Sequence, residues 1–119
     1  MTALTRIRML QRIFKRKFGP VGEVASRYLE SGAHVRINHP TRYGAIHVLV
    51  YKDGEKYAIE VFNEPRSVPM TVIENLAEKA KLVRAKPILV LYGDGPTLSG
   101  EAYLRCKELG VKIRRIRAR

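Results

Sequence analysis

Two runs rich in β-branched and aromatic residues, Ala45–Tyr51 and Lys56–Phe62, flank the tetrapeptide Lys52-Asp53-Gly54-Glu55. Asp-Gly between apolar runs is a strong hairpin signal, because a two-residue type I′ turn needs positive φ at both central positions. With Asp53 and Gly54 as the turn, Ile46, Val48, Val50, Tyr57, Ile59 and Val61 share one face, which reads as a core face. The other face carries Ala45, His47, Leu49, Ala58, Glu60 and Phe62, with His47 directly opposite Glu60. Their side chains can meet there, either as a plain cross-strand pair or as part of a site. A three-residue turn with a bulge would shift this pairing by one.

The rest of the chain arranges itself around this hairpin. Leu4, Ile7, Leu10, Ile13 and Phe14 recur at helical spacing and predict a helix near 3–17 with an apolar stripe and a basic face. Gly19-Pro20 breaks it, and a second helix over about 20–31 turns Val21, Val24, Ala25, Tyr28 and Leu29 inward. Ser31-Gly32 closes that helix, and His34 to Asn38 alternates as a strand. After the hairpin, Pro65 and Pro69 mark a loop, and Thr71 to Arg84 reads as a helix. Pro87–Tyr92 is a continuous apolar run, as in a strand buried on both faces. Ser99 or Thr97 caps a helix that runs to Leu109 and stops at Gly110, and Val111, Ile113 and Ile116 indicate a last, basic strand. The predicted order is α-α-β-β-β-α-β-α-β.

At 119 residues the chain has room for one domain with a core. Its formal charge of +12 is concentrated at the ends. Arg6, Arg8, Arg12, Lys15, Arg16 and Lys17 occupy the first segment, and Lys112, Arg114, Arg115, Arg117 and Arg119 the last. All 11 acidic residues lie between these segments and nearly balance the cations there. A polyanion is the natural partner of such ends, since each phosphate contact releases condensed counterions. Solubility, thermostability or attachment of a basic amphipathic helix to an anionic lipid surface would use the same charge. The amides are few (Gln11, Asn38, Asn63 and Asn75), a composition that fits a thermophile. Cys106 is the lone cysteine, which excludes an internal disulfide and a cysteine-based zinc cage. No apolar run has the length of a membrane span, and residues 1–18 lack the pattern of a secretory signal, so a cytoplasmic setting is expected.

From Pro20 to Ile116 the predicted order resembles the core of the restriction-endonuclease-like, PD-(D/E)XK, nuclease superfamily. The segment from His47 through Lys52-Asp53-Gly54-Glu55 to Glu60-Val61-Phe62 matches its central hairpin. Glu23 matches its acid on the first helix. Gly95-Pro96-Thr97-Leu98-Ser99-Gly100-Glu101-Ala102-Tyr103, with Lys107-Glu108-Leu109-Gly110-Val111, is similar to the closing helix and strand of Mrr-type members. Small archaeal Holliday-junction resolvases are the other branch it resembles. The resemblance implies an α/β fold with a mixed central sheet flanked by helices, here with an extra basic helix over 1–18, a domain over 19–117 and a tail at 118–119. It also implies a nucleic-acid partner, DNA rather than RNA, a homodimer as in the resolvases, and magnesium or manganese if the chain cleaves.

Two positions depart from the family pattern. His47 stands where the metal-binding Asp belongs, and Phe62 where the catalytic Lys belongs. Magnesium prefers oxygen ligands, and Glu60 with Glu23 and His47 is a thin set. Lys79 or Lys81 on the following helix, or Lys56 on the strand, are the lysines that could replace the missing one. The site expected from sequence is therefore Glu60, His47, Glu23 and Lys79, degenerate or rebuilt, on a nucleic-acid-binding scaffold. The alternatives are an active structure-specific endonuclease and a module that docks on a protein or membrane through its first helix. A metal-free ribonuclease reading, by resemblance to archaeal tRNA-splicing endonucleases, would draw on Tyr43, Tyr51, His47 and Lys79. His34 and His39, with His47 and Glu60, are a further candidate set for a transition metal.

Overall fold

The computed structural model describes residues 2–118. Arg119, part of the expected basic tail, lies outside them. The elements follow the predicted order: α1 (Ala3–Phe18), α2 (Pro20–Glu30), β1 (His34–His39), β2 (Ile46–Lys52), β3 (Glu55–Phe62), α3 (Met70–Leu82), β4 (Lys86–Tyr92), α4 (Gly100–Leu109) and β5 (Lys112–Ile116). The strands form one mixed sheet in the order β1-β2-β3-β4-β5. The first three are antiparallel, whereas β4 and β5 run parallel to β3 and require helical crossovers.

The hairpin forms as its turn chemistry demands. Asp53 and Gly54 both adopt positive φ, 52° and 79°, and the pairing runs through Lys52↔Glu55, Val50↔Tyr57 and Val48↔Ile59. This is the two-residue register, so the bulged alternative does not occur. Strand β4 is paired on both edges, and its Ile88, Leu89, Val90 and Leu91 are buried. That double burial explains its unbroken apolar sequence.

Alternation along the strands sends side chains to two cores. On one face Val48, Val50, Ile59, Val61 and Val90 pack with Val24 and Ala25 of α2. On the other, Leu49, Ala58, Leu89 and Leu91 pack with Ile73 and Leu76 of α3 and with Ala102 and Cys106 of α4. Ile46 corrects the sequence reading: it joins this second core rather than that of Val48 and Val50. The reason is local. Backbone pairing between β2 and β3 ends at Val48↔Ile59, and across β1 the residue facing His47, Asn38, has φ 55°. The strict alternation breaks at that kink.

Helix α1 reverses at Gly19 and runs back along α2. The Gln11 side chain donates to the Ser26 carbonyl at 3.2 Å and to Glu30 at 2.7 Å. Gly22 permits the close approach, because a Cβ there would lie 1.9 Å from the Phe14 carbonyl oxygen. Only Ile7, Gln11, Phe14 and Phe18 are half-buried in this contact. Leu4, Leu10 and Ile13 of the predicted stripe stay exposed, since α1 packs chiefly on α2. Ser99 rather than Thr97 caps α4, accepting from the Ala102 amide, and Gly110 ends it in the left-handed region. Among the described residues no helix is long and apolar enough to cross a membrane.

Candidate functional site

Glu60 projects from β3 on the α3 side of the sheet, and Lys79 comes to meet it. Lys79 lies one turn on from Leu76, on the inner side of α3, where an apolar residue would be expected. It is only 5% exposed. Its Nζ donates to Glu60 Oε1 at 2.9 Å and to the Ala45 carbonyl at 3.0 Å. Both partners are needed, because a buried ammonium left unpaired is costly.

His47 stands beside this pair in an unexpected role. Its Nδ1 accepts the Val61 amide at 2.9 Å, taking the place of a main-chain acceptor where the β2–β3 ladder ends. The same nitrogen lies 3.5 Å from Glu60 Oε2. With its lone pair given to Val61, Nδ1 has no proton to offer Glu60, so this contact is not an ion pair. Thus His47 and Glu60 are neighbours, as the register predicts, but His47 holds the backbone of β3 rather than the carboxylate.

The other candidates are placed elsewhere. Lys56 donates to the Val83 carbonyl at 2.9 Å and ties β3 to the end of α3. Lys81 is exposed and faces Glu78. Phe62 is buried in the α3-side core, with Arg66 over its ring. Glu23 belongs to α2 on the opposite face, where its Oε2 accepts from the Tyr92 hydroxyl and its Oε1 is buried without a partner among the described residues. The sheet therefore separates Glu23 from Glu60. No group of three or more His, Cys, Asp and Glu side chains could hold a metal among the described residues, His34 and His39 included. One carboxylate, already engaged by an ammonium, and one imidazole do not make the oxygen-rich shell that magnesium requires.

The basic ends share the layer opposite Glu60. Helix α1 packs outside α2, while Lys112 and Arg114 point from β5 toward the α2 side, where Arg114 donates to the Tyr28 hydroxyl at 3.0 Å. Arg6, Arg8, Arg12, Lys15, Arg16, Lys17, Lys112, Arg114 and Arg117 make no ion pair among the described residues. Arg115 departs from its expected role on a basic binding surface. It points to the α3 side and donates to the carbonyls of Gly93 and Pro96 at 2.6 and 2.7 Å, pinning the loop before α4. Sequence reasoning missed Arg27, whose Nη2 donates to the Arg117 carbonyl at 3.1 Å and joins α2 to the C-terminal segment. No local pattern marks it, because the two residues meet only through the sheet.

Several solved structures are similar to this one. A repair endonuclease from Pyrococcus abyssi superposes with a TM-score of 0.59 at 18% identity, covering 76% of this chain and 41% of that one. A protein of unknown function, AF1548, gives 0.61 at 19% identity, covering 77% and 54%. Pyrococcus furiosus SfsA, in a complex with Ca2+, gives 0.55 at 15% identity, covering 95% and 57%. The chain thus spans about half the length of the structures it matches. No protein-family model and no curated protein matches the sequence.

Proposed function

We propose, for a chain that has the restriction-endonuclease-like nuclease fold, that it is a nucleic-acid-binding protein on a nuclease-like scaffold with an altered site. The single observation that carries this reading is the set of cations on α1 and β5 that no carboxylate neutralises among the described residues. Such cations are free to replace counterions along a phosphate backbone. DNA is favoured over RNA because one of the similar structures is a repair endonuclease. A cytoplasmic setting agrees with the lone, buried Cys106.

Placement argues for binding rather than cutting. A phosphate held by α1 is separated from Glu60 by α2 and the sheet. At Glu60 itself, the single available carboxylate is committed to Lys79.

One observation favours a second reading. Lys79 stands 2.9 Å from Glu60, as a lysine recruited from α3 would, and an active endonuclease would use such a pair. One assay separates the two readings. Four-way junction, duplex, single-stranded DNA and structured RNA are incubated with the chain, with and without Mg2+ or Mn2+, beside Glu60→Ala. Retarded bands without products are the expected result. Metal-dependent products that vanish in Glu60→Ala would establish the enzyme instead, and the absence of any retardation would remove the binding reading.

A further inference from the structure

A cleft of about 340 Å³ opens on the α2 side of the sheet, between the C-terminal end of α2 and the starting ends of β3, β4 and β5. Arg27, Lys52, Lys112 and Arg114 line it, and no Asp or Glu does. These cations come from α2, from the end of β2 and from β5, so only the folded chain brings them together. None of them makes an ion pair among the described residues. The Nε of Arg27 is buried and without a hydrogen-bond partner among the described residues, an arrangement that calls for an acceptor.

Tyr28, Tyr57, Ile88 and Ile116 supply an aromatic and aliphatic part of the remaining wall, and Ser31 a polar one. Helix C-termini ordinarily repel anions. Here the carbonyls of Arg27, Tyr28 and Leu29 in the last turn of α2 are already taken by the amides of Ser31, Gly32 and Ala33. What remains is concentrated positive charge beside a partly apolar wall, in a volume suited to a small ligand.

We propose that this cleft binds a nucleoside phosphate, with the phosphate on the Lys112–Arg114 side and the base against the apolar wall. Two sources share this chemistry, a free nucleotide and the phosphorylated end of a strand. The inference shares Lys112 and Arg114 with the nucleic-acid-binding reading above but does not rest on it, since it concerns a single nucleotide in a cleft rather than a strand along α1.

The test is calorimetric titration of the full chain with adenosine monophosphate, with adenosine, and with one short oligonucleotide bearing either a 5′-phosphate or a 5′-hydroxyl. The phosphate-bearing form of each pair binds about tenfold tighter or more, as a charge-assisted hydrogen bond implies. Lys112→Gln with Arg114→Gln removes that advantage, while Lys81→Gln with Lys107→Gln, an equal loss of charge on α3 and α4 across the sheet, leaves it within about twofold. Amide shifts in the unaltered protein on adding adenosine monophosphate cluster at Ser31, Tyr57 and Lys112, which guards against a variant that fails to fold. Preference for adenosine monophosphate assigns the free nucleotide, and preference for the phosphorylated strand assigns a strand end. Equal binding with and without phosphate, an equal loss in the Lys81→Gln, Lys107→Gln variant, or shifts confined to α1 would overturn the proposal. Retarded duplex without any of these effects would overturn the cleft and leave the earlier reading intact.

Discussion

Lys79 and Glu60 form an ion pair 2.9 Å long between the last turn of α3 and the end of β3, with the lysine side chain 6% and the glutamate side chain 15% exposed. The pair fastens the crossover helix to the sheet at the point where the β2–β3 ladder gives way to the His47 side chain. Removing one member strands the other in a poorly solvated place. Lys79→Met is therefore expected to destabilise the fold by about 3–5 kcal/mol, while Glu60→Leu with Lys79→Met costs much less. Urea denaturation of the single and double variants checks this. Equal destabilisation in both would show that the pair contributes only through packing.

The basic helix should govern the salt dependence of binding. Replacing Arg8, Arg12, Lys15 and Arg16 by Gln is expected to lower the slope of log K against log salt by about 0.9 for each phosphate on duplex DNA that these side chains neutralise. Titrations at several salt concentrations measure it. An unchanged slope would move phosphate binding away from α1.

Gly22 controls whether α1 stays on α2. In Gly22→Ala the new methyl would meet the Phe14 carbonyl, so the helices must part. The expected cost is about 1–3 kcal/mol, in the range of overpacked contacts, with faster hydrogen exchange confined to α1 and to the α2 face beneath it. Unchanged exchange in α1 would show that the two helices do not pack closely in solution.

Burial pushes the Cys106 thiol above its ordinary value of 9.0. The folded chain then keeps a proton that the unfolded chain releases. Unfolding free energy should therefore hold steady up to about that pH and fall as the pH rises beyond it. Cys106→Ala, compared by urea denaturation across this range, is expected to show a shallower decline. The native thiol should also resist alkylation that proceeds readily in denaturant.

The candidate site is half legible in the sequence. Glu60 and His47 follow from the hairpin register, and Lys79 is one of several lysines within reach of the sequence argument. Its selection over Lys56 and Lys81 depends on the rotation of α3, which places Lys79 inward and Lys81 in solvent. Glu23 matches a family position in the chain yet points to the other side of the sheet, because it sits on α2 and bonds Tyr92. Arg115 reads as a free cation in the sequence and becomes a loop anchor in the fold, since alternation along β5 sends it to the face opposite Arg114.

The element order, the place of the hairpin turn at Asp53-Gly54, the doubly buried β4 and the charge at both ends were legible in the sequence. These depend on periodicity, turn chemistry and net charge, which act over a few neighbouring residues. Tertiary structure alone decided that α1 lies on α2 with Leu4, Leu10 and Ile13 of its apolar stripe uncovered, that Glu60 meets Lys79 while Glu23 lies across the sheet, and that Arg27, Lys52, Lys112 and Arg114 share a cleft. Each of those outcomes joins segments distant in the chain through two crossovers and a helical reversal, and no local preference encodes which faces then meet.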